Sequence, residues 1–227
     1  MRIDVIFDSV CPWCYIGKRR FERALSEFER ADEVEVEWKS FEHDPNAPKE
    51  LDGKLEEVLA KKYRASPAQA RSMMQRVVDT SKEEGIDVDF DIARSGNTFD
   101  AHRLIHLAKA RGKGDAMKER LMRGYFCEGV LPSDHEALIR LATEVGLEEA
   151  EVVDALAGEA FARDVRGDEV AARQIGVTGV PFFVIDGKYG ISGAQPSDVL
   201  LQVLRQTREE AALEKGAACD ADGCEIP

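Results

Sequence analysis

Cys11-Pro12-Trp13-Cys14 stands directly between an apolar, strand-like run, Ile3-Asp4-Val5-Ile6-Phe7, and a long helical pattern, so two thiols sit at the head of a helix. With Cys11 as the N-cap and Pro12 at the first helical position, the free N–H groups of Trp13 and Cys14 point toward the Cys11 sulfur. Helix-start donors and the positive end of the dipole lower a cysteine pKa from about 8.5 into a range of roughly 3.5 to 7.5. Cys11 is then a nucleophile near neutral pH. Cys14, one turn in and shielded, resolves a mixed disulfide formed at Cys11. The competing readings are half of a zinc site or a pair of small buried residues. A zinc knuckle needs a second ligand pair on turn-rich sequence rather than a strand and an amphipathic helix, so the context favours redox chemistry.

Around this motif the hydrophobic period changes along the chain. Ile16, Phe21, Ala24, Leu25 and Phe28 give a helical stripe over Tyr15 to Arg30, and Val34, Val36 and Trp38 alternate with charges over Glu33 to Phe41 as a half-buried strand does. From about Lys54 the pattern is helical for more than a hundred residues. Ser66-Pro67 starts one helix that stops at Gly85, Asn97 caps the next, Met117 to Cys127 continues to Gly129, and Ser133 or Asp134 caps another that ends at Gly146. Segments Leu147 to Ala157 and Glu159 to Ile175 complete the block. A compact strand, Val180 to Ile185, an Asp186-Gly187 turn and Lys188 to Ile191 then read as a hairpin, and a last helix runs from Ser197 to about Leu213. Strand-helix-strand at one end and hairpin-helix at the other predict an α/β fold with a helical insertion between its halves.

Composition narrows the function classes. The 227 residues, 44% hydrophobic and 33% charged, suffice for a packed core. No apolar run approaches the roughly 20 residues of a bilayer span, and Met1-Arg2 leads straight into a strand rather than a signal peptide, so the expected compartment is the cytoplasm. A net charge of -13 argues against a nucleic-acid backbone or an anionic membrane as partner. Proteins, peptides and small thiols remain. Five cysteines in a reducing compartment do not form a structural framework, which again points to catalytic use.

Several motifs in order carry a resemblance: Asp8-Ser9-Val10-Cys11-Pro12-Trp13-Cys14-Tyr15-Ile16-Gly17-Lys18, Asn97-Thr98 with Ala101-His102-Arg103-Leu104, Tyr125-Phe126 with Glu128-Gly129, Gly179-Val180-Pro181-Phe182-Phe183-Val184, and Gly193-Ala194-Gln195. Over nearly its whole length the chain resembles the DsbA-like oxidoreductases of thioredoxin fold, in their FrnE-like cytoplasmic subgroup. The resemblance implies a thioredoxin-like domain over 1–44 and 160–205, a large all-helical insertion over 45–159, and a helix end with a cysteine-containing tail over 206–227. It implies dithiol-disulfide exchange without an organic cofactor. No metal is expected, the expected substrates are disulfide-containing or misoxidised proteins and peptides, and glutathione or thioredoxin are candidate electron donors. It also makes Pro181 a cis-proline facing the thiols and has Val180 offer its backbone to an extended substrate. Pro12 and Trp13 occupy the dipeptide that tunes the pair in this family. No histidine stands there, which predicts a pair less oxidising than the strongest members, between about -270 and -120 mV. Reductase or isomerase work fits better than oxidase work.

Cys219-Asp220-Ala221-Asp222-Gly223-Cys224 is a second close pair, with acidic neighbours that raise thiol pKa values. It is open to three readings: an auxiliary redox pair, a tail whose cysteines do nothing specific, or half of a four-thiolate zinc site with Cys11 and Cys14. His102 and His106 share a helix face without the glutamate of a zinc motif and read as packing or surface residues, His102 at the groove between domains. Cys127 reads as a small buried side chain, and Met73-Met74 as helix packing. Besides disulfide exchange, a glutathione-dependent small-molecule isomerase or transferase and a chaperone-like peptide-binding protein are the alternatives. Relatives of the isomerase kind carry serine where this chain has Cys11, which weighs against them.

Overall fold

The computed structural model describes residues 1–51 and 53–221, with side chains through residue 213. Four strands form one mixed sheet: β1 (Arg2–Phe7), β2 (Glu35–Ser40), β3 (Phe182–Ile185) and β4 (Tyr189–Ser192). Their order across the sheet is β2-β1-β3-β4. β1 runs parallel to β2, with Ile3 opposite Val36 and Val5 opposite Trp38, and antiparallel to β3, with Val5 opposite Phe183. The parallel pair needs a crossover, which α1 (Pro12–Ser26) supplies.

Alternation along the strands decides which helices cover which face. Ile3, Val5, Phe183 and Ile185 bury against Phe21, Ala24 and Phe28 of α1 and against Leu200, Leu201 and Leu204 of α9 (Ser197–Ala221). Ile6, Phe182 and Val184 turn to the opposite face, where Ala172 of α8 (Ala162–Gln174) and Val177 meet them. The result is a thioredoxin-like sheet covered on both faces, as its apolar strands require.

Between β2 and α8 the described residues form six helices: α2 (Leu55–Tyr63), α3 (Pro67–Glu83), α4 (Phe99–Ala110), α5 (Gly114–Glu128), α6 (His135–Glu144) and α7 (Glu149–Ala157). Their start signals are visible. Ser66 and Gln69 form a reciprocal capping box on α3. The Asp134 carboxylate accepts from the Glu136 and Ala137 amides at 3.0 and 3.3 Å on α6, a cap worth about 1 kcal/mol. On α4 the Asn97 side chain accepts from the Phe99 amide at 2.9 Å, while Thr98 holds the N-cap position itself. Phe7, at the end of β1, packs edge-on against Trp38 and joins Cys11, Cys14 and Tyr15 in one core with Leu104, Met122 and Phe126 of the inserted helices. The thiols therefore lie where the sheet domain meets the insertion.

Candidate active site

Cys11 takes extended backbone angles (φ -88°, ψ 113°) and Pro12 opens α1, as the spacing predicts. The Cys11 carbonyl accepts from the Cys14 and Tyr15 amides at 3.0 and 3.3 Å, and the Cys11 amide donates to the Asp8 carbonyl at 3.1 Å. Both cysteines are free thiols, buried to 2% and 0% exposure. The Cys11 sulfur makes no well-formed side-chain cap bond to the helix, so groups beyond the helix contribute to its ionisation.

Burial alone raises the Cys11 pKa. Hydrogen bonds from the Cys14 thiol and the His43 imidazole, the charge on His43, and the Cys14 amide outweigh it and bring the value down to about 6. Cys14 moves the other way. Burial, the bond to the Cys11 sulfur and the negative charge there hold its proton well above the ordinary range. His43, whose side chain reaches solvent, is raised in turn: partial desolvation opposes its charge, but the bond to Cys11 and the charges of Cys11 and Asp8 favour the imidazolium. The shifts thus favour a thiolate at Cys11, a thiol at Cys14 and an imidazolium at His43.

His43 was not visible as a site residue in the sequence. The positive charge missing from the Pro12-Trp13 dipeptide is delivered by the loop after β2. Its anchor is Asp8, buried to 1% exposure three residues before Cys11, whose Oδ2 accepts the His43 amide at 2.8 Å. Asp8 Oδ1 lies 3.4 Å from Nε2 of the fully buried His102 on α4. Burial pushes the Asp8 carboxyl up, and His102 and His43 more than offset it, leaving Asp8 below the usual carboxylate range. The sequence carried one usable signal, the recurrence of Asp8 and His102 inside the quoted motifs, but nothing in the sequence said that they touch.

His102 is a core residue, in edge contact with Phe7 at 5.4 Å, and His106 bonds elsewhere, to Ser40 Oγ at 3.1 Å and Asp168 at 3.2 Å. The two histidines do not converge on one point. The Val180–Pro181 peptide is cis, and the Cys11 thiol when protonated donates to the Val180 carbonyl at 3.5 Å. Pro181 is buried, Val180 half-buried, and Trp13 stands 37% exposed beside the pair. Gly17 allows the close approach: a Cβ there would lie 3.0 Å from Pro181 Cγ. Cys127, half-buried on α5, is raised chiefly by burial. Met73 and Met74 are half-buried on α3. α9 runs through Ala221, past the expected end near Leu213, so the backbone of Cys219 is helical; Cys224 lies outside the described residues. Among the described residues no three metal-ligating side chains cluster, and no helix is long and apolar enough to cross a membrane.

Comparison with known proteins follows the same outline. A probable DsbA oxidoreductase from Streptomyces coelicolor superposes with a TM-score of 0.89 at 43% identity, over 92% of this chain and 91% of that one. The uncharacterized protein YwbO of Bacillus subtilis is 30% identical over 92% of this chain and 98% of its own. The cytosolic disulfide reductase DsbM of Pseudomonas aeruginosa, at 20% identity, shares the fold with a TM-score of 0.61, over 92% of this chain and 99% of that one. Residues 2–205 match the family model of the DSBA-like thioredoxin domain, a span that takes in Asp8, both thiols, His43, His102 and the cis-proline loop. On that match, the chain belongs to the DSBA-like thioredoxin family.

Proposed function

We propose that this oxidoreductase is a disulfide reductase or isomerase for proteins and peptides, with Cys11 as nucleophile and Cys14 as resolving thiol. The observation that carries the reading is the opposite ionisation of two adjacent cysteines, one lowered to about 6 and the other raised, at a helix head beside the Val180 carbonyl. The Cys11 thiolate attacks one sulfur of a substrate disulfide, forming a mixed disulfide and expelling the other sulfur as a thiolate, which takes up a proton. His43 stands where it can supply that proton. Two of the influences that held the Cys14 proton, the bond to the Cys11 thiolate and its charge, vanish in the mixed disulfide. Cys14 then loses its proton, attacks Cys11, and frees the second substrate sulfur. The substrate gains two electrons and the protein keeps a Cys11–Cys14 disulfide.

An extended substrate chain laid along Val180 uses main-chain hydrogen bonds and leaves side chains free to vary, which suits many misoxidised proteins. Trp13, Pro12 and Pro181 form the rest of the contact surface in this reading. Glutathione or thioredoxin in a reducing cytoplasm would restore the dithiol. The test is reduction of a disulfide-bonded protein by the pre-reduced enzyme. Cys11→Ser is expected to fall to the uncatalysed background, and Cys14→Ser to accumulate a mixed disulfide visible by mass. Full activity in Cys11→Ser would overturn the assignment.

A further inference from the structure

The α2–α3 hairpin carries an excess of positive charge in an acidic chain. Between Lys54 and Arg76 stand six cations and two carboxylates, in a chain of net charge -13. Arg71 pairs with Glu56 at 3.6 Å. Lys61, Lys62, Arg64 and Arg76 have no carboxylate partner among the described residues, and Lys62 lies over the Tyr63 ring at 5.9 Å. Lys61 and Lys62 sit in the last turn of α2, where the helix dipole favours cations, but Arg64 and Arg76 have no such role and add like charge beside them. α2 also has no fully buried residue: Leu55, Val58, Leu59 and Ala60 are all half-buried, and the helix packs chiefly on α3. At the turn, a depression of about 360 Å³ is lined by Tyr63, Arg64, Gln69, Met73 and Arg76, with Tyr63 55% exposed. Arg64 holds a left-handed φ of 51°, where glycine or asparagine is ordinary, and so places a cation at the rim. The hairpin is tied to the thiol site through α3, which packs on α1 and places Val77 in the same buried core as Cys11 and Cys14.

We infer that the α2–α3 hairpin is a docking surface for acidic segments of disulfide-bearing polypeptides, and that it steers them to Cys11. The inference rests on the function proposed above. Complementary charge raises the encounter rate for an acidic chain that the remaining surface would repel. The half-buried stripe of α2 and the depression beside Tyr63 give apolar side chains of the same segment a place to pack. Nucleic acid and anionic membranes fit less well, since both would extend over the negative remainder of the molecule.

The experiment compares three peptides of equal length with one disulfide each, flanked by acidic, neutral or basic residues, as substrates of the reduced full-length protein. The acidic peptide is expected to show about tenfold higher kcat/KM than the basic one at low salt, and to lose that advantage at about 1 M salt, where the Debye length is near 3 Å. Lys61→Gln/Arg64→Gln/Arg76→Gln is expected to level the three rates, and Lys61→Glu/Arg64→Glu/Arg76→Glu to invert their order, with the Cys11 alkylation rate unchanged in both. Should either variant lose helix by circular dichroism, the salt dependence of the wild type decides alone. Equal rates for the three peptides, a preference indifferent to salt, or displacement of the acidic peptide by phosphatidylglycerol vesicles but not by a disulfide-free acidic peptide would overturn the inference. Failure to reduce any of the peptides would instead count against the proposed function.

Discussion

Around Cys11, burial opposes the thiolate while the Cys14 thiol, the His43 imidazole and the Cys14 amide stabilise it, and the stabilisers prevail. Removing one of them has a definite direction. His43→Ala is expected to raise the Cys11 titration midpoint from about 6 by roughly one unit, a loss of about 1.4 kcal/mol of thiolate stabilisation. The ultraviolet absorbance of the thiolate measures it directly. Because a stabilised thiolate favours the reduced form, the same variant is expected to make the pair more reducing against glutathione. An unchanged midpoint would leave the Cys14 thiol and amide as the sources of the shift. The two cysteines themselves were legible because their spacing is local. His43 and Asp8 lie 35 residues apart, and His102 and Asp8 lie 94 apart, so no periodicity could announce their meeting.

At the scale of elements, α1 carries the thiols on its first turn and Gly17 on the face that meets the Pro181 loop. In an exposed helix Gly→Ala gains about 1 kcal/mol from propensity. Here the added Cβ would sit 3.0 Å from Pro181 Cγ and 3.5 Å from Ala194 Cβ, tight enough to push the loop off Cys11. Gly17→Ala is therefore expected to change Tm little while slowing disulfide exchange several-fold, a split that thermal melts and substrate kinetics resolve together. Equal losses in both would mean the contact serves packing alone. Helix starts were readable where a side chain caps them, as at Ser66 and Asp134. Stops were less so. α9 continues to Ala221 because Ala217, Ala218 and Ala221 favour helix with no apolar stripe to signal it.

For the whole molecule the coupled ionisations set how stability responds to pH. Cys11 keeps its proton to about pH 8.5 in the unfolded chain but only to about 6 when folded and reduced. Between those values the unfolded state binds more protons, so this contribution rises with pH and is lost as pH falls through about 6. The oxidised protein has no such ionisation. His43, raised above 6.5 by reduced Cys11, contributes with the opposite slope above that value. The Tm difference between reduced and oxidised forms should therefore shift in favour of the reduced form from about pH 5 to about pH 6.5, as paired calorimetry would record; a flat difference over that interval would contradict the thiolate assignment. Local order in the chain determined the strand, the proline-led helix with its thiols and the inserted helical block, because alternation, caps and a two-residue gap are properties of neighbouring residues. Only the tertiary structure decided what surrounds the sulfur. Asp8 holds the loop of His43 against Cys11 and touches His102 from the insertion, and such contacts arise from how the sheet and the inserted helices bury a shared core, which no stretch of sequence contains by itself.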